Sequence, residues 1–123
     1  MSDLISTNKV LMHRIFEELW NEGKPALAVE IFAQPAGVER FVNQFLESFP
    51  DLHHAVEEII ADGDQVTVKF SAQGTHNGQW LEFAPTGKVI HYSGMTWARI
   101  VGGKIIEHYT CWDKAGVIEQ IRA

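Results

Sequence analysis

The sequence predicts a single α+β domain, with helices first and an antiparallel meander of strands after them. Three observations predict it. Up to Pro50 the apolar residues recur at helical spacing. After Pro50 the apolar period changes to two. The chain has 123 residues, enough for one core and too few for two.

Ser6 or Thr7 is suited to cap a first helix. Leu11, Ile15, Phe16, Leu19 and Trp20 then form one apolar stripe. Gly23 suits the residue just past that helix, and Pro25 suits the first turn of the next. The second helix is short, about Pro25 to Phe32. A third is expected from about Ala36 to Ser48, because Val38, Phe41, Val42, Phe45 and Phe49 follow the helical template and Pro50 stops it.

A first strand is expected over His53 to Ala61, turned back by Asp62-Gly63-Asp64. In the next, Val66, Val68, Phe70 and Ala72 alternate with Thr67, Lys69 and Ser71, giving one apolar face. Asn77-Gly78 reads as a hairpin turn, with a strand following through Trp80, Leu81 and Phe83. His76, just before that turn, is expected to be exposed. Pro85-Thr86-Gly87 makes another turn. Two long strands, about Lys88 to Ile100 and Lys104 to Trp112, flank Gly102-Gly103 and lead into a short terminal helix. A sheet of this length twists and curls round the helices, leaving a pocket between the layers.

Bulk composition narrows the function classes. The chain is 46% hydrophobic and 21% charged, ordinary for a soluble globular protein. The net charge of −6 and the absence of a basic run argue against nucleic acid and an anionic membrane surface as partners. MSDLISTNKV has no signal-peptide core and no apolar stretch is long enough to span a bilayer. The single cysteine, Cys111, cannot form an internal disulfide, and a cytoplasmic location is the expectation. Its apolar strand context predicts a buried side chain. His53-His54 looks like a metal cue, but neighbouring strand residues face opposite ways. No HxH pair, ligand-spaced Cys/His cluster or phosphate-cradling glycine loop stands out, so neither a metal nor a cofactor is expected.

Four segments carry a family resemblance: NKVLMHRIFEELWNEG, FLESFPDLHHAVEEIIADGDQVTVKFSAQGTHNGQW, APTGKVIHYSGMTWARI and GGKIIEHYTCWDKAGVIEQI. In order and spacing they resemble the SnoaL-like polyketide (ester) cyclase family, within the nuclear-transport-factor-2-like fold. The resemblance covers nearly the whole chain, residues 1–123 as one domain. It implies a cystatin-like cone of N-terminal helices on a curved antiparallel sheet, with a cavity at its wide end. It also implies a homodimer, and a reaction that closes a ring of a polyketide ester by an intramolecular aldol step. Two departures stand against the last point. The link between the second and third helices, from Phe32 to Gly37, is shorter than usual. The family's last strand typically reads EHWD with Asp as general base, where this chain has Glu107, His108, Tyr109 and Thr110; the family's frequent His before Arg99 is Ala98.

Strand parity tells which side chains share a face. With Val101-Gly102-Gly103 as a three-residue loop, Ala98 pairs with Ile106, Thr96 with His108, Gly94 with Thr110 and Tyr92 with Trp112. A two-residue loop shifts the pairing by one. The three-residue choice puts the positions of the family's His and Asp on one face, so Tyr92, Thr96, His108, Thr110 and Trp112 form the expected cavity face. Phe16 and Trp20 face them from the first helix. The opposite face carries Met95, Trp97, Ile105 and Tyr109, an apolar surface that a homodimer would cover.

His108 is the acid–base candidate, with an ordinary pKa near neutrality; the alternative is a core histidine bonded to a hydroxyl such as Thr96. Asp113, the nearest carboxylate, is a reserve base at the cavity mouth or else the cap of the last helix. Phe16, Trp20, Tyr92, Thr96, Thr110 and Trp112 are the expected contacts of a small hydrophobic or aromatic ligand. Two functions follow. One is a cyclase- or isomerase-type enzyme using acid–base chemistry on a small carbonyl compound. The other is a non-catalytic dimeric module binding a small ligand or a protein, its cavity small or filled by Phe16, Trp20 and Trp112.

Overall fold

The computed structural model describes residues 2–123. Helix α1 (Ser2–Arg14) runs without a break into a π-helical segment, Ile15–Trp20. Ser6 and Thr7 therefore lie inside the helix and do not cap it; the favourable early charge is Asp3 in the first turn. In the π segment the Asn21 amide reaches back five residues to the Phe16 carbonyl at 3.0 Å. This wider turn keeps Ile15, Phe16 and Leu19 buried on one side. Gly23, at φ 65°, ends the helix as its position suggests.

A 3₁₀ turn (Pro25–Leu27) leads into α2 (Ala28–Ile31). Phe32 is already extended and bridges Ile105. The Ala33 amide donates to the Ile105 carbonyl at 2.9 Å, and Lys104 Nζ to the Val29 carbonyl at 2.6 Å. The short link to α3 (Ala36–Ser48) is thus tied to the last strand. Phe45 and Phe49 carry the apolar face of α3 into the core.

Strands β1 (His53–Asp62), β2 (Gln65–Thr75), β3 (Val89–Val101) and β4 (Lys104–Trp112) form an antiparallel sheet in sequence order, curved and open. Helix α4 (Lys114–Arg122) buries Val117 and Ile121. No hairpin forms at Asn77-Gly78. Both amides instead donate to the carbonyl of Ser48, at 3.1 and 3.0 Å. The last turn of a helix leaves carbonyls without partners, and this pair supplies donors. Gly78 is required there because a Cβ would run into the Glu47 carbonyl. Between Trp80 and Phe83 only an isolated bridge remains in place of the expected strand. His76 is fully buried, not exposed. Its Nδ1 lies 2.9 Å from the Thr86 hydroxyl, and its ring packs on Phe49.

The β3–β4 connection also corrects the sequence reading. Gly102 and Gly103 both have positive φ, 58° and 76°, and form a two-residue turn. Val101 pairs with Lys104 and Ile100 with Ile105, after which β4 carries one extra residue, Ile106. Beyond it Ala98 pairs with His108, Thr96 with Thr110 and Gly94 with Trp112. The pairing differs from the expected one by two positions, and a shift of two preserves parity. The expected cavity face therefore stands. Ile105 does not belong to the outer face: lying before the bulge, it is buried on the helix side at 2% exposure. Cys111 is exposed rather than buried, because β4 is an edge strand and Cys111 points away from the helices.

Gly94 lies between Phe70 and Trp112 across the sheet. A Cβ there would come within 2.5 Å of the Cys111 carbonyl oxygen, 2.7 Å of the Phe70 ring and 2.9 Å of Trp112 Cβ. Gly94→Ala is expected to lower stability by about 1–3 kcal/mol through overpacking, read as a lower midpoint in urea unfolding. An unchanged midpoint would show that the Phe70 ring and the β4 backbone are free to shift.

Candidate functional site

A cavity of about 810 Å³ lies between the π segment, α3 and the inner face of the sheet. Phe16, Trp20, Tyr92, Thr96, His108, Thr110 and Trp112 all line it. The aromatic residues form its walls and do not fill it. Phe41, Phe45 and Phe70 add to those walls, and residues 34–38 supply part of the lining from the link before α3. The bulge at Ile106 is what brings Ile105, His108, Thr110 and Trp112 to the same side of β4.

Asp113 lies elsewhere. Its Oδ1 accepts from the Gly116 amide at 2.9 Å, capping α4. It borders a groove shared with His53, His91 and Ser93, apart from the cavity.

Sequence reasoning passed over His54 as half of an apparent metal cue. His53 is exposed, whereas His54 is buried at 4% exposure and lines the cavity. The signal for it was β1 parity: Leu52, His54 and Val56 share a side, and Leu52 and His54 are both buried. The backbone of His54 is gripped by the side-chain amide of Asn21, which accepts from the His54 N–H at 2.7 Å and donates to its carbonyl at 2.8 Å. Its ring sits among Trp20, Phe70 and Phe16, with centroids 5.0, 5.4 and 5.6 Å away. Nε2 lies 3.2 Å from the Tyr92 hydroxyl, while Nδ1 has no protein partner.

Loss of water around the buried imidazole lowers the His54 pKa to about 3, with a smaller contribution from neighbouring His53. Burial raises the Tyr92 pKa. Both groups are uncharged at neutral pH. Leaving a buried polar atom unmatched costs about 1–3 kcal/mol.

His108 stands on the edge strand at the other end of the cavity face. The residue is exposed, but its ring meets Phe32 edge-on, with centroids 5.0 Å apart. Partial burial lowers its pKa, so the imidazole is unprotonated at neutral pH. Thr96 does not bond His108; its hydroxyl lies 2.8 Å from that of Thr110. No Asp, Glu, Lys or Arg is among the described residues that line the cavity. A site without fixed charge cannot neutralise a charged ligand and suits an uncharged one. Among the described residues no group of three or more His, Cys, Asp or Glu is placed to hold a metal ion. None of the helices described is long and apolar enough to cross a membrane.

The family model described as SnoaL-like polyketide cyclase matches residues 10–121. The chain belongs to the SnoaL-like polyketide cyclase family. A candidate polyketide cyclase from Acidithiobacillus ferrooxidans is 25% identical, with 94% of each chain covered and a TM-score of 0.85. AclR, a candidate hydroxylase from Streptomyces galilaeus, is 21% identical over 96% of this chain and 82% of its own, with a TM-score of 0.88. A candidate SnoaL-like cyclase from Jannaschia sp. CCS1 is 24% identical over 96% of this chain and 93% of its own, with a TM-score of 0.83. The last two likenesses bear on the fold alone. No curated protein matches the chain. The family supports a cyclase- or isomerase-type role and leaves the chemistry to the site.

The pKa of His54 generates a prediction about stability. The unfolded chain binds a proton at this histidine near pH 6.5, and the folded chain does so only near pH 3. Between those values the unfolded state holds more protons, so stability falls as pH falls, by up to about 1.4 kcal/mol per pH unit. His108, also lowered, adds in the same direction. In urea unfolding between pH 7 and 4.5, His54→Phe is expected to flatten the slope; an unchanged slope would contradict the burial argument.

Proposed function

We propose that this SnoaL-like protein catalyses an acid–base rearrangement of a small uncharged carbonyl compound, of the cyclase or isomerase type. The observation that carries the reading is the imidazole of His108 on the same strand face as the bonded hydroxyls of Thr96 and Thr110, at the edge of a cavity lined by no Asp, Glu, Lys or Arg among the described residues. A free imidazole nitrogen is a competent base near neutral pH. In this mechanism it takes a proton from the carbon next to a ligand carbonyl. One of the Thr96 and Thr110 hydroxyls donates to the other, and the one whose hydrogen is left free donates to the enolate oxygen that forms. The enolate carbon attacks a second carbonyl of the same molecule, making one carbon–carbon bond. The imidazolium then returns its proton to the new alkoxide, so product and substrate are isomers. By the family resemblance Thr110 takes the place of the expected Asp base, and in this reading His108 serves instead. Asp113 is engaged at the helix cap and is not assigned a step.

Exchange of that proton for deuterium requires no knowledge of the natural product and tests the reading. A panel of uncharged aromatic keto esters is incubated in D₂O and followed by NMR. Wild-type protein is expected to accelerate exchange next to the carbonyl, and His108→Gln to slow it by about 10²–10⁴-fold. No acceleration, or an unaffected variant, would favour the second reading. In that reading Thr96 and Thr110 occupy each other, and the cavity only binds its ligand.

We also propose a homodimer formed through the outer sheet face, and a reducing cytoplasm as the setting for exposed Cys111. On that face Ile60, Met95 and Tyr109 are 68, 51 and 70% exposed, and Trp97 packs on Tyr109 at 5.9 Å. An exposed apolar face of this kind is stabilised by a partner. Light scattering is expected to give twice the 13.9 kDa chain mass, and Tyr109→Glu to give the monomer mass. A monomeric wild type would contradict the assignment.

A further inference from the structure

The cavity wall around His54 and Tyr92 holds hydrogen-bonding capacity that the protein does not use. The His54 ring is enclosed by Phe16, Trp20, Phe70 and Tyr92, aromatic surroundings that would suit a phenyl ring at every side but that of the Tyr92 hydroxyl. Instead the position carries an imidazole with one nitrogen beside the Tyr92 hydroxyl and the other without any protein partner. The Asn21 clamp fixes the backbone that carries it.

We propose that the buried His54–Tyr92 pair is a recognition site for a hydroxyl or carbonyl oxygen on an uncharged ring compound bound in the cavity. The argument does not depend on the tautomer. A neutral imidazole has one donor and one acceptor nitrogen. If the Tyr92 hydroxyl donates to Nε2, then Nδ1 carries a hydrogen with no acceptor. If Nε2 donates to Tyr92, the phenol hydrogen is free and Nδ1 is an unused acceptor. In either state the pair has a donor left over: the Nδ1 hydrogen, which is enclosed and meets a ligand oxygen once the surrounding rings shift, or the phenol hydrogen of Tyr92. In neither does it have a positive charge for a carboxylate, and none of the described residues lining the cavity is Lys or Arg. The proposal rests on reading the cavity as a small-molecule site, and it does not require catalysis at His108.

The test uses naphthalene, 2-naphthol and 2-naphthoate as probes of one shape and different polarity, titrated into the full chain by tryptophan fluorescence. Wild-type protein is expected to bind 2-naphthol about tenfold more tightly than naphthalene, the value of one added hydrogen bond. The same titration should show 2-naphthoate about tenfold or more weaker than 2-naphthol. The double variant His54→Phe/Tyr92→Phe is expected to keep its naphthalene affinity and its melting temperature while losing the preference for naphthol. A second measurement needs no variant: on adding 2-naphthol, the ¹⁵N resonances of the His54 ring in the wild type are expected to shift, at Nδ1 if the oxygen bonds there or at Nε2 if it bonds the Tyr92 hydroxyl. Equal affinity for naphthol and naphthalene, a naphthol preference that survives the double variant, two unmoved ring nitrogens, or no binding of any probe would each overturn the proposal. His108→Gln separates it from the catalytic reading. That variant should keep the naphthol preference whether or not it loses proton exchange.

Discussion

A single extra residue in an edge strand decides what faces the cavity. The two-glycine turn at Gly102-Gly103 is the tightest way to connect β3 and β4, and its positive φ values at both positions suit the right-handed twist of the strands. Without a bulge, Ile105 would share a face with Glu107, Tyr109 and Cys111. The insertion at Ile106 resets the alternation, so that Ile105 seals the cavity beside Phe32 while His108, Thr110 and Trp112 turn inward beyond it. Side chains on a strand alternate strictly, which is why one residue is enough to exchange a polar, reactive face for a surface-like one.

The sheet is completed by side chains as well as by strands. At the β1 edge, Asn21 offers His54 the donor and acceptor that a neighbouring peptide would have supplied. Gln120 does the same for His91, accepting from its amide at 2.8 Å and donating to its carbonyl at 2.7 Å where β3 runs past the end of β4. Backbone groups left without partners are costly, so each clamp is both a hydrogen-bond solution and a docking point. The Asn21 clamp couples the π segment to the buried histidine. The Gln120 clamp holds α4, whose cap occupies Asp113.

The cavity is unusual in its chemistry more than in its shape. It has aromatic walls and hydroxyls, and its imidazoles are held neutral by loss of water. Relatives of the same fold include candidate cyclases and a candidate hydroxylase, which shows how little the cone by itself constrains the reaction. No carboxylate is among the described lining residues, so the only ring nitrogens and hydroxyls it offers a ligand are those of neutral side chains.

Local spacing by itself determined α3, whose bounds Ala36 to Ser48 were readable from one apolar stripe and a terminal proline, and it determined the change to strands after Pro50. The inward face of Tyr92, Thr96, His108, Thr110 and Trp112 was chosen through the family resemblance, and it holds because the two-residue turn and the bulge at Ile106 together shift the pairing by two, which preserves parity. Tertiary structure decided the rest, wherever a group answered to a partner far along the chain. Asn77-Gly78 has the composition of a hairpin turn, yet it serves the free carbonyl of Ser48 at the end of α3, and His76 is buried in consequence. Cys111 is exposed because it points away from the helices on β4, the edge strand of the sheet. His54 resembled any strand histidine until the π segment placed Trp20 and Asn21 against it and β3 brought Tyr92 to its ring. Periodicity encodes which way a side chain points; only packing encodes what it meets there, since contacts between residues distant in sequence leave no local pattern to read.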